Sequence, residues 1–540
     1  MSGGSLAFVL FSCAVFMAMV AVLSYQASRN EVQTQDGYFL AGRNLGGLFI
    51  AGSLLLTNLS AEQLIGLNGS AYGHNMSSMA WEVTAAISTI AMAMIFLPKY
   101  LKGAFTTLPE FLNDRFDPGV RRLSVILFML GYGLVTIPSV LYSGSIAVMK
   151  IFDVPGLLGL SEFSSLVATV LVIGGVGALY AIFGGLKAVA VSDTINGIGL
   201  LIIGVLVLTL GLMALGNGQL LDGVDRIVTD HPEKLNAIGS ERDPTPFGTL
   251  FTGMIIANLF YWCTNQYVIQ RTLAARSLAE GQKGVLLSGF FKVLVPFFMM
   301  IPGVIAYHLY GPGLASIDLA FPTLVQDLLP IWMMGFFLAV LLGAVFSSFN
   351  SLLNSAATLF VLDIYAPSRA ERLSDRQAVR IAMIASFVIA IFSFAVAPLL
   401  YLAPEGLWQI IRIFTGFYNI PIVTIVLFGL FTRRAPAIGA KLVILFHVIA
   451  YGLVKFVFDD VVTLHFLHLY AVLFGIEALI MMAAIRFAPK AVAHGPVEPT
   501  PAAALAVDLT PWRHAVPVSL LLVSLVVAVY LLFSPLGLAQ

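Results

Sequence analysis

Long apolar runs are the feature of this 540-residue sequence that most limits its fold. A helix of about 18 or more apolar residues is long enough to cross the hydrocarbon core of a bilayer. Such runs recur from "SLAFVLFSCAVFMAMVAVLSY" at 5–25 to "AVPVSLLLVSLVVAVYLLF" at 515–533. Charged residues make up only 10% of the chain, whereas soluble domains carry about 25%. The sequence therefore predicts a polytopic membrane protein.

The apolar runs predict fourteen membrane-spanning helices. The first is expected to be a retained span rather than a signal peptide, because no positively charged region precedes it and its apolar run is too long. Helices are favoured over a β-barrel because the runs are continuous rather than alternating. The predicted spans are 5–26, 46–72, 77–98, 123–149, 161–184, 190–215, 247–269, 285–309, 331–361, 379–401, 404–431, 437–458, 463–485 and 514–533.

The basic residues predict how these spans are oriented. Cytoplasmic loops of membrane proteins carry an excess of Lys and Arg. If the N-terminus lies outside, most of the 28 basic residues fall in the cytoplasmic loops, and we expect both termini on the outer side. Arg271 is assigned to one of these loops. Only Lys292 and Arg412 fall well inside spans, where a charge is costly and marks a functional candidate.

The segment "TNLSAEQLIGLNGSAY" at 57–72 is unusually polar for the middle of a span. Gly66 and Gly69 within this segment, and Gly73 directly after it, predict an interrupted helix. Backbone carbonyls that lose their helical hydrogen bonds at that depth would suit a hard cation. The alternative is a continuous helix whose polar groups bond to neighbouring helices. The polar residues are Asn58, Ser60, Glu62, Gln63 and Asn68, and the glycines are Gly66, Gly69 and Gly73.

Two further spans carry polar residues in a pattern. In "NLFYWCTNQYVIQ" at 258–270, Asn258, Tyr261 and Asn265 share one helix face, where amides and an aromatic ring suit a sugar. An aromatic belt with amide contacts between helices is the alternative. In "AVFSSFNSLLNS" at 344–355, hydroxyl and amide residues recur at i,i+4, which is also typical of close helix packing.

One acidic residue joins the two basic residues inside the spans. Glu82, Lys292 and Arg412 could neutralise one another or an incoming ligand, since an unpaired charge would be expensive there. The polar interruptions themselves fall in the second and seventh spans, five spans apart, so the two units enter the membrane in opposite directions. Interrupted helices at matching positions of inverted halves mark the binding site of many secondary transporters.

Four motifs in and around these spans resemble those of a known family. "YFLAGRNLGG", "SLLLTNLSAEQLIGLNGSAYG", "NLFYWCTNQYVIQRTLAARSLAEGQKG" and "LLNSAATLFVLDIY" are similar to the sodium/solute symporters, in particular the bacterial sodium/galactose branch, and the resemblance covers about 37–435. It implies an all-α, LeuT-type fold of five plus five inverted helices with flanking helices, located in the inner membrane of a bacterium. It also implies alternating access, Na⁺ as coupling ion, no other cofactor and a sugar as solute, with a monomer sufficient for transport.

The resemblance and the spans together divide the chain into seven parts. An extra helix and loop come first, two five-helix repeats are separated by an outer loop, and further helices and a linker follow. These parts are 1–36, 37–216 (first repeat), 217–246 (outer loop), 247–435 (second repeat), 436–486 (two additional helices), 487–512 (cytoplasmic linker) and 513–540 (last helix).

The resemblance also implies a sodium site between the first and eighth helices of the core. It would use the backbone carbonyls of Leu56, Leu59 and Ala344 and the hydroxyls of Ser347 and Ser348. Asp193 matches an acidic residue on the sodium exit route, and a carboxylate at a cytoplasmic helix end is the alternative for it.

The solute contacts implied by the resemblance gather in the same region. Arg412 and Ala85 depart from the family's usual Gln and Ser, and Arg412 could itself contact solute. The matching solute positions are Asn58, Gln63, Glu82, Asn258 and Lys292, and the matching gate positions are Tyr261 on the inner side and Leu67, Trp81 and Trp408 on the outer side.

Na⁺-coupled import of a galactose- or glucose-type monosaccharide is therefore the leading hypothesis. Lys292 and Arg412 motivate an alternative, the symport of an anionic sugar such as a uronate or a sulfated sugar. A channel is disfavoured because no short filter motif is evident. An enzyme is disfavoured because no span carries an HExxH motif or a convincing Ser/His pair, and the neutral net charge indicates no nucleic-acid partner.

Overall fold

The structure is a computed structural model. It describes residues 3–29, 34–369, 371, 373–402, 407–488 and 507–540, with the backbone alone at 180–184 and 407–413. The principal helices are α1 (Gly3–Ser28), α2 (Gly47–Asn58), α3 (Ala61–Gly73), α4 (Met76–Gly103), α5 (Pro118–Ile151), α6 (Glu162–Leu179), α7 (Gly185–Leu215), α8 (Gly253–Thr264), α9 (Gln266–Leu273), α10 (Leu278–Tyr310), α11 (Ile331–Ser368), α12 (Asp375–Leu402), α13 (Leu407–Phe431), α14 (Ala437–Phe456), α15 (Phe466–Phe487) and α16 (Ala515–Leu532). Shorter helices include Gln35–Leu40, Leu108–Arg115, Val154–Leu158, Leu220–Thr229 and Ala320–Leu328.

These helices correspond to the predicted spans. Among the described residues, 12 helices are long and apolar enough to cross a membrane, and the bent pair α2–α3 makes up to 13. The remaining predicted span, 247–269, is the shorter apolar helix α8 followed by α9. The count of fourteen therefore depends on whether α8 and α9 are taken as one broken span.

The first predicted interruption lies between α2 and α3, whose axes differ by 59°. The backbone leaves helical geometry at Leu59 (φ −79°, ψ 73°), and Ser60 is extended (φ −80°, ψ 170°) where α3 begins. The sequence suggested that glycines interrupt this helix, but Gly66 and Gly69 lie inside α3. Gly69 instead allows close packing, since a Cβ there would lie 2.9 Å from the carbonyl oxygen of Ile317.

The second predicted interruption lies at Asn265, between α8 and α9. Asn265 has extended backbone geometry (φ −79°, ψ 117°), and α8 ends in a π-helical turn at Phe260–Thr264. The Asn265 side chain is held by the hydroxyl of Tyr132, which donates to its Oδ1 at 2.5 Å. Both helix breaks predicted from polar residues are therefore present, and both are supported by contacts with other helices.

Four of the described helices contain a π-helical turn. These turns are Met92–Phe96 in α4, Gly131–Thr136 in α5, Phe260–Thr264 in α8 and Leu359–Tyr365 in α11. A π turn holds one more residue than the corresponding α-helical turn, and such turns are frequent at functional sites.

The broken helices lie at the centre of the helical packing. α2 packs against α7, α10 and α11, and α3 packs against the second half of α10. Glycines permit the closest contacts: a Cβ at Gly52 would lie 2.5 Å from Thr194 Oγ1, and one at Gly303 would lie 2.1 Å from the carbonyl oxygen of Asn68. α2, the first half of the first broken helix, also contacts α9, the second half of the other.

Helices α13, α14 and α15 form a group in which each contacts the other two. A fully buried polar cluster joins them. His447 Nδ1 lies 2.6 Å from Glu477 Oε1, and its Nε2 lies 2.9 Å from the carbonyl oxygen of Gly416. Thr424 donates to Glu477 Oε2 at 2.6 Å. The cluster therefore connects one residue of α14 and one of α15 with two positions on α13.

The structure corrects the loop position expected for Arg271. This residue lies in α9 and is fully buried, with a relative exposure of 0%. Its guanidinium donates to the hydroxyls of Ser53 and Ser351 and to the carbonyl of Tyr267. Its apparent loop position arose because α9 is short and polar compared with an ordinary span, so the hydropathy pattern ends before the buried segment does.

Candidate functional site

A cavity of about 170 Å³ lies between the two broken helices. Each enclosed water needs roughly 10–15 Å³ of such space, so the cavity has room for a solute much larger than one water molecule. Its walls come from α2, α3, α4, α5, α8, α9, α11, α13 and α15. Of the predicted solute and gate residues, those that line it are Asn58, Gln63, Leu67, Trp81, Glu82, Asn258 and Tyr261.

The wall formed at the first break presents oxygen acceptors. Asn58 Oδ1, Glu62 Oε2 and Gln63 Oε1 are buried and have no hydrogen-bond partner within the described part of the chain, and the same is true of Asn419 Oδ1 on α13. All four residues line the cavity. Buried polar atoms are normally hydrogen-bonded, so this wall is suited to a ligand that brings several donors.

A second part of the wall is next to a buried ion pair. Lys292 on α10 donates to Glu82 on α4, and their side chains have relative exposures of 1% and 3%. Glu82 lines the cavity, while the ammonium of Lys292 lies behind it and 5.6 Å from the centre of the Trp262 ring. Asn258 completes this wall by donating to Thr84 Oγ1 at 2.9 Å. The charge of Lys292 is therefore compensated within the protein.

Tyrosine rings pack together at the lining formed by α8 and α9. The ring centres of Tyr261 and Tyr267 are 5.8 Å apart at 87°, and those of Tyr132 and Tyr267 are 5.6 Å apart at 82°. Edge-to-face packing is a favoured arrangement of such rings, and Tyr261 and Tyr267, which both line the cavity, form an aromatic boundary. Tyr261 lies in this boundary, and its role as the inner gate remains a prediction.

The predicted sodium ligands lie where the first break meets α11. The Ser60 N–H donates to the Asn58 carbonyl at 2.9 Å rather than to Leu56, as a continuous helix would require. Carbonyls at a helix end lack intrahelical partners. Ser348 donates to the carbonyl of Thr57 at 3.2 Å, so α11 touches the end of α2 directly.

The other predicted sodium ligands are buried in the same region. Leu56, Leu59, Ala344 and Ser347 are each at most 2% exposed, and Ser347 Oγ has no hydrogen-bond partner among the described residues. Carbonyl and hydroxyl oxygens are the ligands that hard cations prefer. The residue types and their burial therefore fit a sodium ion at this junction.

Asp193 is connected to the same junction through Ser53. It is fully buried on α7 and accepts a hydrogen bond of 2.6 Å from Ser53 Oγ, which in turn accepts one of 2.7 Å from Arg271. Because α7 begins at Gly185, Asp193 lies within this helix and not at its end, unlike the alternative of a carboxylate at a cytoplasmic helix end. Arg271 and Asp193 thus place opposite charges on either side of one hydroxyl, next to the predicted sodium ligands on α11.

Two predicted residues lie outside what the structure describes. The side chains of Trp408 and Arg412 belong to the segment 407–413, for which only the backbone is described. The predicted roles of Trp408 as a gate and of Arg412 as a solute contact therefore remain predictions.

Several residues that line the cavity were missed in the sequence. Glu62 was noted as polar but not assigned to the site. Thr415, Tyr418 and Asn419 on α13 also line the cavity, and their i,i+3,i+4 spacing around Gly416 is a signal that could have revealed them. Phe466 and Tyr470 on α15 gave no such signal, because aromatic residues near the end of a membrane helix are ordinary.

Comparison with known proteins places these features in a family. Residues 38–446 match the sodium:solute symporter family. The chain is 44% identical over 520 residues to the uncharacterized symporter YidK of Escherichia coli (strain K12), covering 95% of this chain and 89% of that protein. It is 32% identical over 455 residues to the sodium/glucose cotransporter of Vibrio parahaemolyticus, covering 79% and 81% respectively.

The fold has a solved counterpart. A substrate-bound, outward-open Na⁺-coupled sialic acid symporter superposes with a TM-score of 0.77 at 22% identity, covering 90% of this chain and 99% of that one. At this identity the likeness concerns the fold alone, and it confirms the all-α, LeuT-type architecture expected from the sequence. With the family match over most of the chain, it follows that this protein belongs to the sodium:solute symporter family, a family of membrane transporters.

Proposed function

We propose that this symporter imports a neutral monosaccharide of the galactose or glucose type together with Na⁺. The observation that carries the proposal is the pairing of unsatisfied oxygen acceptors at Asn58, Glu62 and Gln63 with the aromatic boundary at Tyr261. A sugar offers hydroxyl donors on its edges and apolar faces on its ring, so it can satisfy both walls at once. The name of the Vibrio relative, a sodium/glucose cotransporter, agrees with this class.

The charges of the described residues favour a neutral solute over an anionic one. Lys292 is paired with Glu82, so its charge is not available to a carboxylate or sulfate group. None of the described residues that line the cavity is a lysine or an arginine, so no cation there is available to an anionic solute. The alternative of a uronate or a sulfated sugar therefore depends on Arg412 alone.

Sodium would act by binding between the end of α2, at the first break, and α11. The proposed ligands are the carbonyls of Leu56, Leu59 and Ala344 and the hydroxyls of Ser347 and Ser348, with Asp193 on the exit route. A ligand shifts a conformational equilibrium only if it binds one state better. Na⁺ held between α2 and α11 would favour the state in which Asn58 and Gln63 are aligned for the solute.

The energy available to such a cycle is sufficient for strong accumulation. Moving one positive charge inward across about 100 mV releases about 2.3 kcal/mol, and a tenfold Na⁺ gradient adds about 1.4 kcal/mol. One Na⁺ per cycle could thus sustain roughly a few-hundredfold accumulation of a neutral solute.

The proposal includes a placement in the cell. The protein would lie in the inner membrane of a bacterium with both termini on the outer side, as the distribution of basic residues predicts. Segments 37–216 and 247–435 would form the two inverted repeats that rock against each other around the cavity. A single chain would suffice for transport.

Uptake by the purified protein in proteoliposomes tests this function. Under an inward Na⁺ gradient we expect accumulation of radiolabelled galactose or glucose, no accumulation when K⁺ replaces Na⁺, and little uptake of galacturonate. Arg412→Gln is expected to retain neutral uptake. Preferred uptake of galacturonate, lost in Arg412→Gln, would contradict the neutral assignment and support the anionic one.

A further inference from the structure

The start of α15 forms part of the cavity wall, although this helix lies outside the two predicted repeats. Phe466 and Tyr470 both line the cavity. The ring of Phe466 stacks on the indole of Trp81, with centres 6.3 Å apart and planes inclined by 9°. The Tyr470 ring packs edge-on against Phe466 at 5.6 Å. The predicted outer gate residue Trp81 therefore has an aromatic partner that comes from a flanking helix.

The position of Phe466 is fixed by contact with α8. A Cβ at Gly253 would lie 1.7 Å from the carbonyl oxygen of Leu467, so the two backbones touch and only glycine fits. Next to this contact, Thr252 Oγ1 and His468 Nδ1 lie 2.9 Å apart. α8 is the half of the second broken helix that carries Asn258 and Tyr261, so the aromatic rings of α15 are held against the helix that would bind solute.

The other half of α15 is held by α13 and α14. Glu477 accepts hydrogen bonds from Thr424 and lies against His447, both at 2.6 Å and fully buried. α13 also carries Tyr418 and Asn419 of the cavity wall. α15 therefore contacts two of the helices that line the cavity, α8 and α13.

We propose that Phe466 is a gate residue of this transporter, in which the Trp81–Phe466 stack closes the cavity and residue 466 determines how tightly the solute is retained. This inference rests on the proposed function for its solute but not for its geometry. Trp81 lies on α4, inside the first repeat, whereas Phe466 lies on a flanking helix. Closure would thus bring together one element of the core and one element outside it.

Uptake of galactose into proteoliposomes gives the first test. An aromatic pair contributes about a two- to tenfold effect on a binding equilibrium, so Phe466→Ala should raise the half-saturating galactose concentration by about that factor. Trp81→Ala should raise this concentration by a similar factor. The double variant should raise it no further than the more affected of the two single variants, because both changes remove the same stack. Val472→Ala on the same helix, at a side chain 50% exposed, is the control and should behave as wild type.

A second test does not depend on transport. Ala257 on α8 lines the cavity, is 6% exposed and is not a predicted gate residue, so Ala257→Cys introduces a thiol into the cavity wall. Its rate of modification by a charged methanethiosulfonate reagent should rise several-fold when Phe466→Ala is added. The same chains with Ala257 retained give the background rate of Cys13 and Cys263. An unchanged modification rate, or multiplying effects of the two aromatic substitutions on galactose uptake, would overturn the gate. Absence of galactose uptake by the wild type would instead count against the proposed function, and the thiol rate would still decide the gate.

Discussion

The ion pair between Glu82 and Lys292 allows a quantitative prediction. Both side chains are almost completely buried, with relative exposures of 3% and 1%. Replacing Lys292 by Met keeps the length of the side chain but leaves the Glu82 carboxylate without its cation. Removing one partner of a buried pair costs about 3–5 kcal/mol, whereas removing both is often close to neutral. We therefore expect Lys292→Met to lose about 3 kcal/mol or more and the double variant with Glu82→Gln to recover most of that loss.

Unfolding in mixed micelles, followed by tryptophan fluorescence, measures these free energies. The control is Lys283→Met on the same helix, which removes a pair with Glu280 at 2.8 Å whose lysine is 43% exposed. An exposed pair contributes about 0–1 kcal/mol, so this variant should be nearly as stable as wild type. If Lys292→Met and the double variant were equally stable, the two charges would not be coupled and the assignment of a compensated Lys292 would be wrong.

Other contacts give further expected outcomes. Ser348→Ala removes the hydroxyl bound to Thr57 and should raise the half-saturating Na⁺ concentration of uptake by about fivefold. Ser393→Ala on α12 is the control. An unchanged Na⁺ dependence of Ser348→Ala would mean that Ser348 does not bind Na⁺. His447→Phe leaves Glu477 Oε1 and the Gly416 carbonyl without a partner, although Thr424 still donates to Glu477 Oε2, and should cost about 3 kcal/mol in unfolding. Wild-type stability of this variant would mean that the cluster is not structural. Arg271→Gln should lower the unfolding midpoint and Asp193→Asn should partly restore it, and failure of that rescue would show that the two charges act separately.

The parts of the fold that could be predicted are those whose signal is local. Apolar length marks the spans because a helix needs about 20 apolar residues to cross the hydrocarbon core of a bilayer. Polar residues inside those spans marked both breaks and the lining residues Asn58, Gln63 and Asn258, because their cost in lipid makes them conspicuous in the sequence. The cavity brings residues from both marked segments together.

The parts that could not be predicted depend on distant partners. The first break occurs at Leu59 and Ser60 rather than at the glycines, and the end of α2 there bonds to Ser348, which lies far along the chain. The burial of Arg271 depends on Ser53 and Ser351, which are separated from it by 218 and 80 positions. Phe466 resembles any aromatic residue at a helix end, and only its neighbours distinguish it.

The π turn at Gly131–Thr136 in α5 has a consequence for how this wall tolerates change. Each residue of a helix corresponds to roughly 100° of rotation, so the surplus residue sets the angular phase of everything that follows it. Thr136 and Val140, which follow or end this turn, face the cavity. Deleting one residue from the turn would rotate both side chains away from the cavity, even though neither residue is changed. The number of residues in this turn therefore affects the wall more than a conservative substitution within it would.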